Sequence, residues 1–183
     1  MHTRKLAFID LETSGLNSTI HEILEIGMVL AEQIISTDRK VNLKIVDELD
    51  LRVAPKHIEK ADPESLKIIH YSPEKWLFAA DLKDALGALS KKTTDAMMVG
   101  HNVAHDHAFL ERAFTETGIV NSMHYHKLDT ISIAYAKLCG REDIEKLSLH
   151  FLSQYLGIEN KQPHSAISDA RTTFLIFEKL MAL

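Results

Sequence analysis

Lys5-Leu6-Ala7-Phe8-Ile9-Asp10-Leu11-Glu12 decides the fold. An apolar run closing on an acid is the pattern of a buried strand emerging at the end of a sheet, so Lys5–Asp10 is expected to be the first strand. If its pleat continues, Asp10 and Glu12 project from the same side at the strand's end. Two anions crowded there need a trapped proton, a basic partner or a divalent cation. Arg4 and Lys5 lie at the other end of the strand, which makes a cation the better remedy. Taken alone, the triplet has a simpler reading, in which Asp10 caps a turn and Glu12 is solvated.

Outward from this strand the pattern stays β-like and then changes period. Glu22–Glu32 is rich in Ile, Leu, Met and Val, and Leu43–Val53 alternates apolar with polar residues, predicting strands two and three with a hairpin around Ser36 to Lys40. Asp62-Pro63 and Ser72-Pro73 each place a capping residue before a helix-compatible proline, and Leu82, Leu86 and Leu89 recur at helical spacing, predicting two or three helices. Met97–Gly100 reads as a strand leading into a helix that stops at Gly118. His126–Asp129 repeats the pattern, followed by helical Ile131–Leu138, a helix over Lys146–Leu156, and a final helix whose stripe runs through Ala166, Ala170, Phe174, Phe177 and Met181. A meander of three strands followed by alternating helices and two more strands implies an α/β fold, a mixed five-stranded sheet flanked by helices.

With 183 residues, 45% hydrophobic and 26% charged, the chain fits one globular domain over residues 1–183, with a looser join only near Asp47 to Pro63. No window reaches the ~20 apolar residues of a membrane span, and Met1–Lys5 leads straight into the first strand without room for a signal sequence, so no membrane and a cytoplasmic location are expected. A single cysteine, Cys139, excludes an internal disulfide framework and a thiolate zinc site. The net charge of −5 argues against electrostatic coating of long nucleic acid but is compatible with gripping one strand end.

Two more acids stand where chemistry can use them. Asp106 opens the helix after Met97–Gly100, where the macrodipole favours negative charge. Asp169 lies in the opening turns of the last helix, five residues after His164. At ~100° per residue the two would not share a helical face, so His164, following Pro163, is expected on the preceding loop. A loop histidine beside carboxylates suits a general base.

Phe8-Ile9-Asp10-Leu11-Glu12-Thr13-Ser14-Gly15-Leu16, then Gly100-His101-Asn102-Val103-Ala104-His105-Asp106 with Phe109-Leu110, then His164-x-Ala166-x-x-Asp169-Ala170 resemble the three exonuclease motifs of the DnaQ-like DEDDh family. Leu128-Asp129-Thr130 and the stretch from Leu147 to Gly157 are similar to that family's connecting segments, so the resemblance covers Ala7 to Phe174.

The resemblance implies a ribonuclease H-like fold and metal-dependent 3'-to-5' hydrolysis of single-stranded DNA or RNA, releasing nucleoside monophosphates. It implies two divalent cations, and a set of four carboxylates selects hard ions, Mg2+ or Mn2+. By the same resemblance Asp10 bridges both ions, Glu12 and Asp169 complete the shell of the one that holds the attacking water, Asp106 serves the other, and His164 takes the water's proton. The turn Thr13, Ser14, Gly15 and Leu16 would lie under the last nucleotide, offering backbone N–H groups to its sugar and Leu16 to its base. Asn102 would fix the strand-to-helix corner next to the substrate. His105 stands where the family usually has Phe, which bears on substrate contact rather than on chemistry.

Other readings stay open. His101 and His105, four apart, permit a zinc site, although no HExxH pattern or third ligand accompanies them. Arg112 and Arg171 can meet phosphates, but acids nearby favour solvation or ion pairing. The same fold can serve a catalytically silent module that holds a nucleic-acid end or a protein, a reading that leaves five clustered reactive residues without purpose. A polymerase partner is not excluded but not indicated, since no tethering tail follows the last helix.

Overall fold

A computed structural model describes residues 2–35, 41–160 and 162–183, and the hairpin connection expected at Ser36 to Lys40 lies outside the described residues. The first strand is longer than its apolar run: β1 spans His2–Thr13, so the pleat does carry through Asp10 and Glu12. It pairs antiparallel with β2 (Ile23–Ile35), which pairs antiparallel with β3 (Val41–Arg52). On its other side β1 takes β4 (Met97–Gly100) in parallel, and β4 takes β5 (His124–Asp129) in parallel. The sheet order is β3-β2-β1-β4-β5. β1 and β4 thus run in the same direction, with β1 continuing past the end of β4, and in open α/β sheets the crevice beyond such carboxyl ends is where ligands bind.

Alternation along β1 assigns its two faces. Ala7, Ile9 and Leu11 point to the side covered by α2 (Leu82–Lys92) and α3 (Val103–Thr117), where Leu86, Leu89, Phe109 and Leu110 complete the core. Leu6 and Phe8 point to α6 (Ala166–Ala182), whose Phe174 and Phe177 meet the Phe8 ring edge-on at 5.2 and 5.4 Å. Asp10 and Glu12, two and four residues beyond Phe8, continue on the α6 face. A second stripe of α6, Ile176 and Leu180, packs with α4 (Thr130–Leu138) and α5 (Leu149–Tyr155).

The segment between β3 and α2 departs from expectation. Asp62 caps the short α1 (Pro63–Ile68) by accepting from Glu64 N–H at 2.9 Å. Ser72-Pro73 starts only turns: after the Trp76 N–H bonds the Ser72 carbonyl, the next bonds close on the third residue back, from Leu77 to Glu74 and from Ala79 to Trp76, and the Trp76 indole donates to the Leu24 carbonyl at 3.1 Å. The join near Asp47 to Pro63 is not loose either. β3 runs on to Arg52, Val53 forms a parallel bridge with Ala80, and the Glu22 carboxylate accepts from the N–H groups of Lys56 and His57 at 3.0 and 2.8 Å. The helix expected from Lys146 starts only at Leu149, where the Ser148 hydroxyl accepts from Phe151 N–H.

The start of α6 lies against β2 at Gly27, the residue paired with Asp10. A Cβ there would stand 2.1 Å from the Ala166 carbonyl carbon, a contact no side chain can occupy. Substituting Gly27→Ala is therefore expected to push α6 away, costing about 1–3 kcal/mol. Thermal unfolding of the variant reads this, and an unchanged midpoint would show that the approach is not required.

Candidate active site

Asp10 and Glu12 sit at the end of β1 on the α6 face, and the close approach at Gly27 brings Asp169, in the first turn of α6, over them. His164 precedes α6, as expected, with φ +63°, a left-handed backbone uncommon outside glycine, and its side chain is exposed. Ligand atoms of Glu12, His164 and Asp169 lie within 4.8 Å of one another, the one such grouping among the described residues. Asp10 stands beside this trio without belonging to its tightest arrangement. Asp106 is buried in the first turn of α3, and its Oδ1 accepts the Leu11 N–H of β1 at 2.9 Å.

Residues that the motifs do not single out hold the acids in place. Asn160 Nδ2 donates to Asp169 Oδ1 at 2.6 Å, while the Asn160 Oδ1 accepts from Ser168 Oγ at 2.9 Å. The His164 N–H donates to Asp169 Oδ2 at 3.1 Å, so one carboxylate fixes the loop that carries the histidine. Glu25, opposite Glu12 on β2, accepts the Ala166 N–H at 3.4 Å and pairs with Arg52 Nε at 3.4 Å, placing a buried anion at the start of α6. Asp129 caps two helices together, accepting from Ile131 N–H at 2.8 Å and from Val103 N–H at 3.0 Å, and so sets the start of α3 from β5. Of these, Asp129 is signalled in sequence, by its cap-compatible type and by the Leu128-Asp129-Thr130 resemblance. Glu25 and Asn160 become readable only from strand register and loop closure.

The turn after β1 is partly committed to the fold. Ser14 is buried, its N–H and hydroxyl both bonded to Glu22, the first to the carbonyl and the second accepting the N–H, each at 2.8 Å. Ser14 thereby shapes the turn expected to receive the last nucleotide, and its hydroxyl keeps an O–H that the Glu22 contact does not use. Thr13 is also buried and donates its hydroxyl to the Gly15 carbonyl at 2.9 Å. Leu16 is 81% exposed, an apolar side chain offered to solvent beside the acids' end of β1. Asn102 is exposed in a left-handed conformation (φ +67°) before α3 and makes no capping bond with its side chain, so its backbone turns the corner while Asp129 does the capping.

The histidines of the second motif do not converge. His101 Nδ1 bonds Thr130 Oγ1 at 2.8 Å, the half-buried His105 tilts onto the Phe109 ring at 5.0 Å, and His107 faces Glu111 at 4.0 Å. The zinc reading for His101 and His105 is set aside on that geometry. Arg171 forks onto Glu48 at 3.0 and 2.5 Å, the ion pair expected of it.

Electrostatics argue for a cation. Burial and then the charges of Asp106, Asp169, Glu12 and Glu25 hold the Asp10 carboxyl well above its usual range. Burial, reinforced by Asp169, Glu25 and Asp106, pushes Glu12 to about 8, and burial takes Asp106 to about 7 against the pull of its backbone hydrogen bonds. Asp169 is raised mainly by burial, with Asn160 and His164 opposing. Acids this reluctant to ionise together, with no Lys or Arg bonded to Asp10, Glu12, Asp106 or Asp169 among the described contacts, fit a hard divalent ion held by oxygen ligands.

The sequence profile of the RNase_T exonuclease family matches residues 7–177. DNA polymerase III PolC-type of Staphylococcus aureus (strain bovine RF122 / ET3-1) is 25% identical over 172 residues, which is 94% of this chain and 11% of that protein. The chain thus spans about a tenth of the length of the curated relatives it matches. Among solved structures, E. coli Exonuclease I in complex with a dT13 oligonucleotide superposes with a TM-score of 0.74 at 14% identity, covering 96% of this chain and 40% of that one. Exonuclease I from Methylocaldum szegediense gives 0.73 at 15% identity, over 96% of this chain and 40% of the other. The shared fold is ribonuclease H-like. No helix among the described residues is long and apolar enough to cross a membrane.

A carboxyl whose pKa is raised by folding favours the folded state below its unfolded value, and that advantage is lost as pH rises through the folded value. Burial lowers the pKa of His101, His105 and His107, which makes folding more favourable as pH rises towards the ordinary value of 6.5 and adds nothing above it. From about pH 6.5 to about 8.5 the acids act alone. The cation-free protein should then show a falling unfolding midpoint, and Mg2+ or Mn2+ should raise the midpoint more at the upper end than at the lower. A midpoint that is flat or rising in chelator across this window would contradict the clustering.

Proposed function

Because this chain belongs to the RNase_T exonuclease family, DnaQ-like and ribonuclease H-like in fold, we propose that it is a metal-dependent 3'-to-5' exonuclease of the DEDDh kind. Residues 1–183 act as a single exonuclease domain, hydrolysing the terminal phosphodiester of single-stranded DNA or RNA and releasing nucleoside monophosphates. The observation that carries this is the convergence of Glu12, His164 and Asp169 beside Asp10 at the end of β1, with Asp106 anchored to the same strand.

Asp10, Glu12, Asp106 and Asp169 would hold two divalent cations, Mg2+ or Mn2+, as all-oxygen ligands. Bound there, such ions neutralise charge on the phosphodiester oxygens and acidify the attacking water. His164 takes the proton of that water. Its exposed position on a loop leaves the imidazole in exchange with solvent, so the proton can be passed on, while the bond from its N–H to Asp169 keeps the ring beside the acids. Thr13, Ser14, Gly15 and Leu16 form the turn that receives the terminal nucleotide, with the exposed Leu16 side chain against its base. His105, tilted onto Phe109 and with its pKa lowered by burial, offers a ring face and a hydrogen bond where the family usually has an apolar ring.

Incubation of 5'-labelled single-stranded DNA and RNA with Mg2+, Mn2+ or chelator tests the reading. Ladders shortening from the 3' end are expected with metal and none with chelator. His164→Ala should lose at least ~100-fold in rate through the missing base, and Asp10→Ala more. Equal decay in wild type and both variants would identify a contaminant. An intact substrate bound by the wild type would instead favour a silent end-binding module.

A further inference from the structure

We propose that Arg112 is a positioning residue that fixes the seat of the terminal nucleotide by tying α3 to the loop between β1 and β2. This rests on the reading of the Thr13–Leu16 turn as that seat. Helix α3 grips β1 at one point and the β1–β2 connection at another. Asp106 accepts the Leu11 N–H at 2.9 Å, and six residues further on, roughly 9 Å along the helix axis, Arg112 Nη1 donates to the carbonyls of Ser18 and His21, the latter at 3.2 Å. One rigid element thus holds a catalytic acid and the nucleotide loop at a fixed separation.

The guanidinium is oriented for this task. Its Nε donates to Glu116 Oε1 at 2.6 Å, one helical turn on. With these donors committed to a carboxylate and two carbonyls, phosphate binding, one of the readings left open for Arg112 by sequence, loses most of its donor set. The loop in turn transmits the hold. Asn17 Oδ1 accepts from Thr19 N–H and Oγ1 at 2.9 and 2.8 Å, and His21 Nδ1 accepts the Asn17 N–H at 3.0 Å. The His21 ring lies against Gly15, so close that a Cβ on residue 15 would be 2.4 Å from it. A shift at Ser18 or His21 therefore reaches Gly15 and the exposed Leu16.

The loop's own apolar side chains, Leu16 and Ile20, are exposed. Between the loop and α3 opens a cleft of about 240 Å³ lined by Ser18, His21, Leu82, Phe109, Arg112 and Ala113. The height of the loop over the cleft is set by hydrogen bonds, and Arg112 supplies the two that come from α3.

The test compares wild type with Arg112→Ala and Arg112→Met, the second retaining an apolar stem without donors. Two substrates are used: the p-nitrophenyl ester of thymidine 5'-monophosphate, which fills only the terminal seat, and a labelled oligonucleotide. Both variants should raise KM for the ester by about tenfold or more with kcat within about threefold, because an unfixed seat must be ordered on binding. Mn2+ affinity should be unchanged, and amide exchange over residues 15–21 should quicken. The proposal is overturned if Arg112→Met keeps the wild-type KM, even with faster exchange, or if its loss lies in kcat or in Mn2+ affinity. A wild-type protein that turns over neither substrate would overturn the exonuclease reading along with it.

Discussion

The absence of a side chain at Gly27 sets how near α6 comes to the sheet, and through that distance it decides whether the four acids meet. Gly27 faces Asp10 across the β1–β2 ladder, so a gap in the sheet's surface falls beside the central carboxylate. The Ala166 backbone fills that gap, and Glu25, two residues earlier on the same face of β2, receives the helix's N–H. Asp169 follows one turn later. With an ordinary side chain at 27 the helix would ride higher, and the separation among Glu12, His164 and Asp169 would be lost with it.

The same closeness creates an electrostatic debt that the protein alone does not settle. Each carboxyl is pushed towards its protonated form first by burial and, for Asp10 and Glu12, by its neighbours. Hydrogen bonds to Asp106 from Leu11 and to Asp169 from Asn160 and His164 relieve part of the strain without supplying a positive charge. Each of these bonds leaves the carboxylate with lone pairs to spare, so anchoring and ligation can coexist. A site with this design is stiff before a cation arrives, which keeps the reorganisation needed on binding small.

Much of this was legible beforehand, for definable reasons. The pleat of β1 requires only that an apolar run continue past Asp10, and the placement of His164 ahead of α6 follows from Pro163 and the angular arithmetic of a helix. The strands and most helices declare themselves by period. What sequence could not supply depends on pairing between distant segments. Glu25 matters because it falls opposite Glu12, Gly27 because it falls opposite Asp10, and neither register can be read before β1 and β2 are aligned. Asn160 matters because the loop before α6 closes back on Asp169. The failed helix at Ser72 has the right cap and proline, but Trp76 gains more by burying its ring and bonding the Leu24 carbonyl than it would on a helix. Ser14 fits the motif in type, but the bond its hydroxyl accepts from the Glu22 N–H depends on the return of the chain at β2.

Asp129 caps α3 and α4 with one carboxylate from the end of β5. Helices that share a cap cannot loosen independently: fraying either one leaves the carboxylate half-employed and weakens its neighbour's first turn. The floor beneath Asp106 is thereby tied to a strand at the far edge of the sheet, and damage at that margin would be felt at the centre. A lesion in β5, remote from the acids, can in this way disturb the candidate site as surely as one among them.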